Sequence, residues 1–145
     1  MSDLQTARRM LEENGYSCVL YKDGAAHVSR KRGVAPLLDW LEEGLDMRGF
    51  SAADKIVGKA AAMLFVLGGV REVYAPVMSE KAVVLLTKHG IAASCDRMVD
   101  AIINRAGDGV CPMERAVADL EEPAQAPETL RKALAALRGG AAQST

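Results

Sequence analysis

With 145 residues, 50% of them hydrophobic and 26% charged, the chain has the make-up of one folded domain, and disorder is excluded. Its 18 basic residues nearly balance 19 acidic ones, leaving a net charge of −1, which excludes nucleic-acid or membrane binding driven by bulk charge.

The first residues carry neither a basic leader nor an apolar one. The longest apolar run, residues 60 to 67, is far below the ~20 needed to span a bilayer, so a cytoplasmic protein is expected. Leu4, Ala7, Met10 and Leu11 recur at helical spacing after Ser2 or Asp3 as N-cap, and Asn14-Gly15 supplies a left-handed stop. Residues 16 to 22 and 25 to 29 read as strands joined by Asp23-Gly24, a dipeptide suited to the positive φ angles of a type I′ hairpin. After the basic corner Arg30-Lys31-Arg32, Pro36 opens a helix with Leu37, Leu38, Trp40 and Leu41 on its apolar face, ending at Gly44. Residues 55 to 67 leave no polar face beyond the first turn, the pattern of a buried helix. A strand over 70 to 78, a helix from Ser79 to His89-Gly90 and a strand over 91 to 99 follow, an alternation that implies strands covered on both faces. A helix is expected over 101 to 105, broken by Gly107-Asp108-Gly109, and another from Pro112 until Pro123 stops it. A last helix over 127 to 138 precedes a disordered tail from Gly139 to Thr145. The expected organisation is an α/β domain over 1–122, with the C-terminal helix and tail over 123–145.

This order of elements is that of the cytidine-deaminase fold, which implies a three-layer α/β/α architecture around a mixed sheet. More specifically, the stretch Ala53-Asp54-Lys55-Ile56-Val57-Gly58-Lys59-Ala60-Ala61-Ala62, then Val73-Tyr74-Ala75-Pro76-Val77-Met78-Ser79-Glu80, then Cys111-Pro112-Met113-Glu114 resembles the DUF1893 family of small prokaryotic proteins, over roughly residues 1 to 120. That resemblance brings no activity with it. Zinc deaminases place a His or Cys and a Glu on the buried helix and P-C-x-x-C at the start of the next. The corresponding stretches here, Val57-Gly58-Lys59 and Met78-Ser79-Glu80-Lys81-Ala82, hold no such ligands, and Lys59 reverses the charge where a cation would sit. A zinc deaminase is therefore not expected, and no metal or cofactor is. Cys18, Cys95 and Cys111, odd in number and far apart, read as free thiols.

Helices starting near Asp54 and Ser79 should converge beyond the strand ends, where unpaired N–H groups favour anions. Lys55 and Lys59, four apart in the first turns, would oppose the macrodipole at roughly 0.3 to 1 kcal/mol each. A guest of opposite charge answers that cost. The ligand-binding candidates are thus Asp54, Lys55, Gly58, Lys59 and Ser79, with Gly58 read as a helix-interior residue that lets a ligand approach. The plainer account makes Ser79 an N-cap and pairs the lysines with Asp54, Glu80 or another acid. Cys111 and Glu114, a thiol at a helix N-terminus with a carboxyl one turn on, are weaker catalytic candidates, and a small buried Cys with an ordinary first-turn Glu is the commoner outcome. His27 and His89 are not candidates, and Asn104 and Asp108 read as an ordinary turn.

Three functions follow as expectations. The first is a binding module whose vestigial deaminase site holds an anionic small molecule, a nucleotide or another phosphorylated metabolite. The second is a metal-independent enzyme using Cys111 or Lys59. The third is self-association as a homodimer through apolar surface on the hairpin or the final helix.

Overall fold

The computed structural model describes residues 1–143. Helix α1 (Asp3–Asn14) starts on a capping box, in which the Ser2 hydroxyl accepts from the Gln5 N–H and the Gln5 side chain accepts from the Ser2 N–H, and it stops at Gly15 with φ 70°. The hairpin of β1 (Cys18–Lys22) and β2 (Ala25–Ser29) turns on Asp23 and Gly24 with φ 47° and 88°, the two positive angles that a type I′ turn needs. Then come α2 (Ala35–Glu42), β3 (Ser51–Asp54), β4 (Ile56–Val57), α3 (Lys59–Gly68), β5 (Glu72–Ser79), α4 (Glu80–Lys88), β6 (Ala92–Val99), α5 (Pro112–Val117) and α6 (Ala126–Gln143).

Among the described residues, six strands form one mixed sheet: β1 pairs antiparallel with β2 and β3, and β5 pairs parallel with β3, β4 and β6. The pieces β3 and β4 are one strand in a single register, since Ser51 faces Glu72 and Ile56 faces Val77. Their break at Lys55 lies opposite Pro76. A proline in a central strand has no N–H for the ladder, and the pairing of β5 with β6 lapses at the same residue, between Ala75–Cys95 and Val77–Arg97.

Helix α1 covers one face of the sheet, where Ala7, Leu11, Val19, Ala53 and Tyr74 form a small core. The remaining helices cover the other face, so the fold is α/β/α. Alternation along the strands fixes the division: Cys18, Leu20 and Ala52 belong to the larger core on the side of α3, whose residues Ala60 to Phe65 are all buried. The C-terminal helix completes that core, with Ala126 and Leu130 fully buried and Arg131 bridging to Asp39 (2.9 Å) and Glu42 (2.5 Å) on α2.

Three expectations are corrected. The buried helix starts at Lys59 and not near Lys55, because the residues before it continue the sheet. Residues 101 to 105 form no helix: Ile103 bridges Val110, and the Asn104 Oδ1 accepts from the N–H groups of Gly107 (2.8 Å) and Asp108 (3.2 Å), closing an Asx turn that competes with helix. The last helix does not stop at Arg138 but continues to Gln143; of the expected tail, Ser144 and Thr145 lie outside the described residues.

Candidate functional site

Helix α3 emerges from β4 with Gly58 as its N-cap, in an extended conformation and with no side chain to satisfy the first N–H groups. Those groups are met from the far end of the chain. The Glu114 carboxylate accepts from the Lys59 N–H at 2.7 Å and from the Ala60 N–H at 2.8 Å, one oxygen to each. A negative charge is favoured there by the helix dipole as well as by the hydrogen bonds. Gly58 is therefore not a helix-interior glycine admitting a ligand: a Cβ at this position would lie 2.5 Å from the Glu114 carboxyl carbon, so its bareness admits that side chain. In return, the Lys59 Nζ donates at 3.0 Å to the carbonyl oxygen of Ala118, at the C-terminus of α5, where cations are favoured. Two helices thus satisfy each other's ends.

Helix α4 solves the same problem locally. Ser79, 2% exposed, ends β5 and accepts from the Ala82 N–H at 3.1 Å, as an N-cap should.

Between these helix starts and α5 lies a cavity of about 250 Å³ lined by Lys59, Ser79, Lys81, Asp100, Glu114 and Arg115 among others. It opens onto a broader groove along α4, past Val84, Leu85 and Lys88. Lys59, Ser79 and Glu114, named from sequence, meet here. Lys81, Asp100 and Arg115 were missed. Lys81 could have been found, two residues past an N-cap serine in a first helical turn, but Asp100 and Arg115 reach the cavity only through the path of the loop between β6 and α5.

The other candidates are elsewhere. Lys55 is exposed at the break between β3 and β4, so it shares no helix face with Lys59. Asp54 ends β3 with 5% exposure, pairs in register with Cys18 on β1 and does not line the cavity. Burial pushes its carboxyl up to about 8, the backbone N–H groups of Lys55 and Ile56 opposing this only in part, and it forms no ion pair with either lysine. Burial, reinforced by Asp54, likewise pushes the Cys18 thiol well above its ordinary range. Cys111 is the N-cap of the six-residue α5, makes no side-chain cap bond and is absent from the cavity wall, while Glu114 is turned away to α3. Among the described residues, no three His, Cys, Asp or Glu side chains gather closely enough to hold a metal ion. Nor is any helix among them long and apolar enough to cross a membrane.

The chain is similar to the crystal structure of a DUF1893 family protein from Thermotoga maritima: 25% identity, a TM-score of 0.79, and coverage of 93% of this chain and 90% of that one. A dCMP deaminase from the cyanophage S-TIM5, in apo form, gives a TM-score of 0.43 at 12% identity over 63% of this chain and 92% of that one, a likeness too slight to bear on the site. No curated protein matches the sequence. A family model described as TM1506, domain of unknown function (DUF1893), matches residues 6–134, and the chain belongs to that family.

Proposed function

We propose that the protein binds a small anionic molecule, of the size and charge of a phosphorylated metabolite, in the cavity between α3, α4 and α5. The observation that carries this reading is the charge of the wall: Lys59, Lys81 and Arg115 line one small cavity, open toward α4. Lys59 is held by a backbone carbonyl, and Arg115 donates twice to the carbonyl of Val110 at 3.2 Å. Carbonyls position an ammonium or guanidinium without cancelling its charge. The wall also carries two acids, Asp100 and Glu114, the latter held by the backbone N–H groups that open α3, so the three cations exceed the acids by one. Ligand pockets commonly enclose roughly 300 to 1,000 Å³, so a space of about 250 Å³ suits a phosphate with a small body. A whole nucleotide would have to extend into the groove.

Lys81 is the residue on which to test this, because it is exposed and makes no ion pair among the described residues. Titration of the full chain with inorganic phosphate, glycerol phosphate and a nucleoside monophosphate should raise the melting temperature in proportion to the logarithm of concentration, as mass action requires. Lys81→Glu should abolish the shift while leaving the unliganded melting temperature in place. No shift with any of the three, or an undiminished shift in the variant, refutes the reading.

A further inference from the structure

The cavity and the groove along α4 run into one another, since Lys59, Lys81, Asp100 and Ala118 line both. A molecule whose phosphate sits among Lys59, Lys81 and Arg115, and whose body outgrows about 250 Å³, therefore continues along α4. What it meets there is set by helical spacing. Lys81, Val84, Leu85 and Lys88 stand at i, i+3, i+4 and i+7, one stripe of the helix, and all four line the groove. The stripe is apolar in the middle and cationic at both ends, and the helical rise sets its two lysines ~10 Å apart along the axis. Val84 is 62% exposed, and neither lysine forms an ion pair among the described residues. The helix dipole accepts a cation at the end of α4 on any face; Lys88 stands on the face that carries Val84 and Lys81. The acids of the groove belong to its cavity end, Glu80 by its place in the first turn of α4 and Asp100 because it lines both spaces.

We infer that the ligand has two anionic heads joined by an apolar body ~10 Å long: a phosphate held by Lys59, Lys81 and Arg115, a body laid over Val84 and Leu85, and a second anion held by Lys88. The inference rests on the cavity binding a phosphate, and adds to it the class of molecule. A single-headed ligand leaves Lys88 unanswered. A short two-headed one sets its second charge against Glu80 and Asp100, where like charges repel. Only a second head carried past those carboxylates meets a cation, and the path that carries it there is the apolar part of the stripe.

Calorimetric titration of the full chain with ethyl phosphate, hexyl phosphate, ethanediol bisphosphate and hexanediol bisphosphate tests each part. Hexyl phosphate should bind about tenfold tighter than ethyl phosphate, through its apolar body. Hexanediol bisphosphate should gain about tenfold more, through a charge-assisted contact with Lys88. Ethanediol bisphosphate, too short to span the stripe, should gain nothing over ethyl phosphate. Val84 and Lys88 are both exposed, so variants there should fold, which circular dichroism checks. Lys88→Ala should bring hexanediol bisphosphate down to the affinity of hexyl phosphate, Lys88→Arg should keep the gain, and Val84→Ser should narrow the difference between hexyl and ethyl phosphate. If ethyl phosphate binds but hexanediol bisphosphate gains nothing over hexyl phosphate, or gains as much in Lys88→Ala, the second head is refuted while the phosphate site stands. An equal gain for the short and the long bisphosphate overturns the inference too, because unspecific charge attraction would then account for it. If none of the four binds, the phosphate site and the inference built on it fall together.

Discussion

Helices α3 and α4 both rise from the carboxyl end of a parallel strand, and both must satisfy N–H groups that the helix itself leaves unpaired. In α4 the solution is one residue long: Ser79 turns its hydroxyl back onto the Ala82 N–H. In α3 the cap position is a glycine, and the acceptor is a carboxylate 55 residues downstream. The first solution is carried by local sequence. The second exists only if the loop after β6 and helix α5 have already packed, so α3 starts cleanly only in the assembled domain. The cavity wall inherits both kinds of support, since Ser79, Lys59 and Glu114 all line it.

The largest effect is expected from the acid that has neither kind of support. Asp54 lies on the strand leading into α3, as deeply buried as Ser79 but with no helix terminus and no cation to meet it. An unfolded Asp ionises near ~3.9, whereas burial pushes this one up to about 8. Between those values the native state keeps a proton that the unfolded chain has released. Its contribution to stability is therefore present in full below the lower value, falls as pH rises, and levels off above about 8. The loss across that window is on the order of 5 kcal/mol. Urea denaturation of the native chain and of Asp54→Asn at pH 5 and pH 7.5 isolates this, because below the ordinary range of the Cys18 thiol, the group that Asp54 acts on, the other titrations are shared. The native chain should lose markedly more stability than the variant on going to the higher pH. Parallel losses would mean that Asp54 ionises freely, and the contrast with Glu114 would fail.

Next in size is the test that breaks the long-range cap. In Gly58→Ala the added methyl must displace the Glu114 carboxylate, stranding the Lys59 and Ala60 N–H groups at the edge of the core. The cost should be roughly 4 kcal/mol, the sum of a small overpacking and two lost charge-assisted bonds. Glu114→Ala should cost nearly as much alone, and the double variant little more than either. That non-additivity is the signature of one shared contact. Independent, additive losses would show that the glycine serves something other than the glutamate.

How far the sequence spoke follows the same division. The capping box at Ser2 and Gln5, the Asp23-Gly24 hairpin and the Ser79 cap were all legible, because each is completed within a few residues. The error at residues 55 to 58 came from reading Asp54 and Lys55 as a first helical turn, when the register against β5 makes the stretch a strand interrupted opposite Pro76. Short, alanine-rich strands carry little β-propensity of their own, and what fixes β3 is pairing on both sides. The charge argument gave Lys59 an anion for company. The ammonium does need a partner, and it has the Ala118 carbonyl, while the anion at the α3 terminus belongs to the chain itself. Neither was visible at a separation of more than fifty residues without an alignment of the two helices in space.

The smallest expected effect comes from the local cap, which sharpens the contrast by its modesty. Ser79→Ala removes one acceptor from one N–H group, and caps of this kind contribute about 1 kcal/mol. Because Ser79 is 2% exposed, the orphaned Ala82 N–H gains little from water, which places the loss at the upper side of that figure and not below it. Ser79→Asp keeps an acceptor of similar reach but brings a carboxylate to the wall that holds Lys59, Lys81 and Arg115. If the wall is positive, Asp should restore most of the stability lost in Ala while weakening any phosphate-dependent rise in melting temperature. Denaturant midpoints for the three chains, with and without phosphate, separate these effects. An Asp variant no more stable than Ala would mean that the charge at this helix start is already balanced, and the local cap would then be all that Ser79 provides.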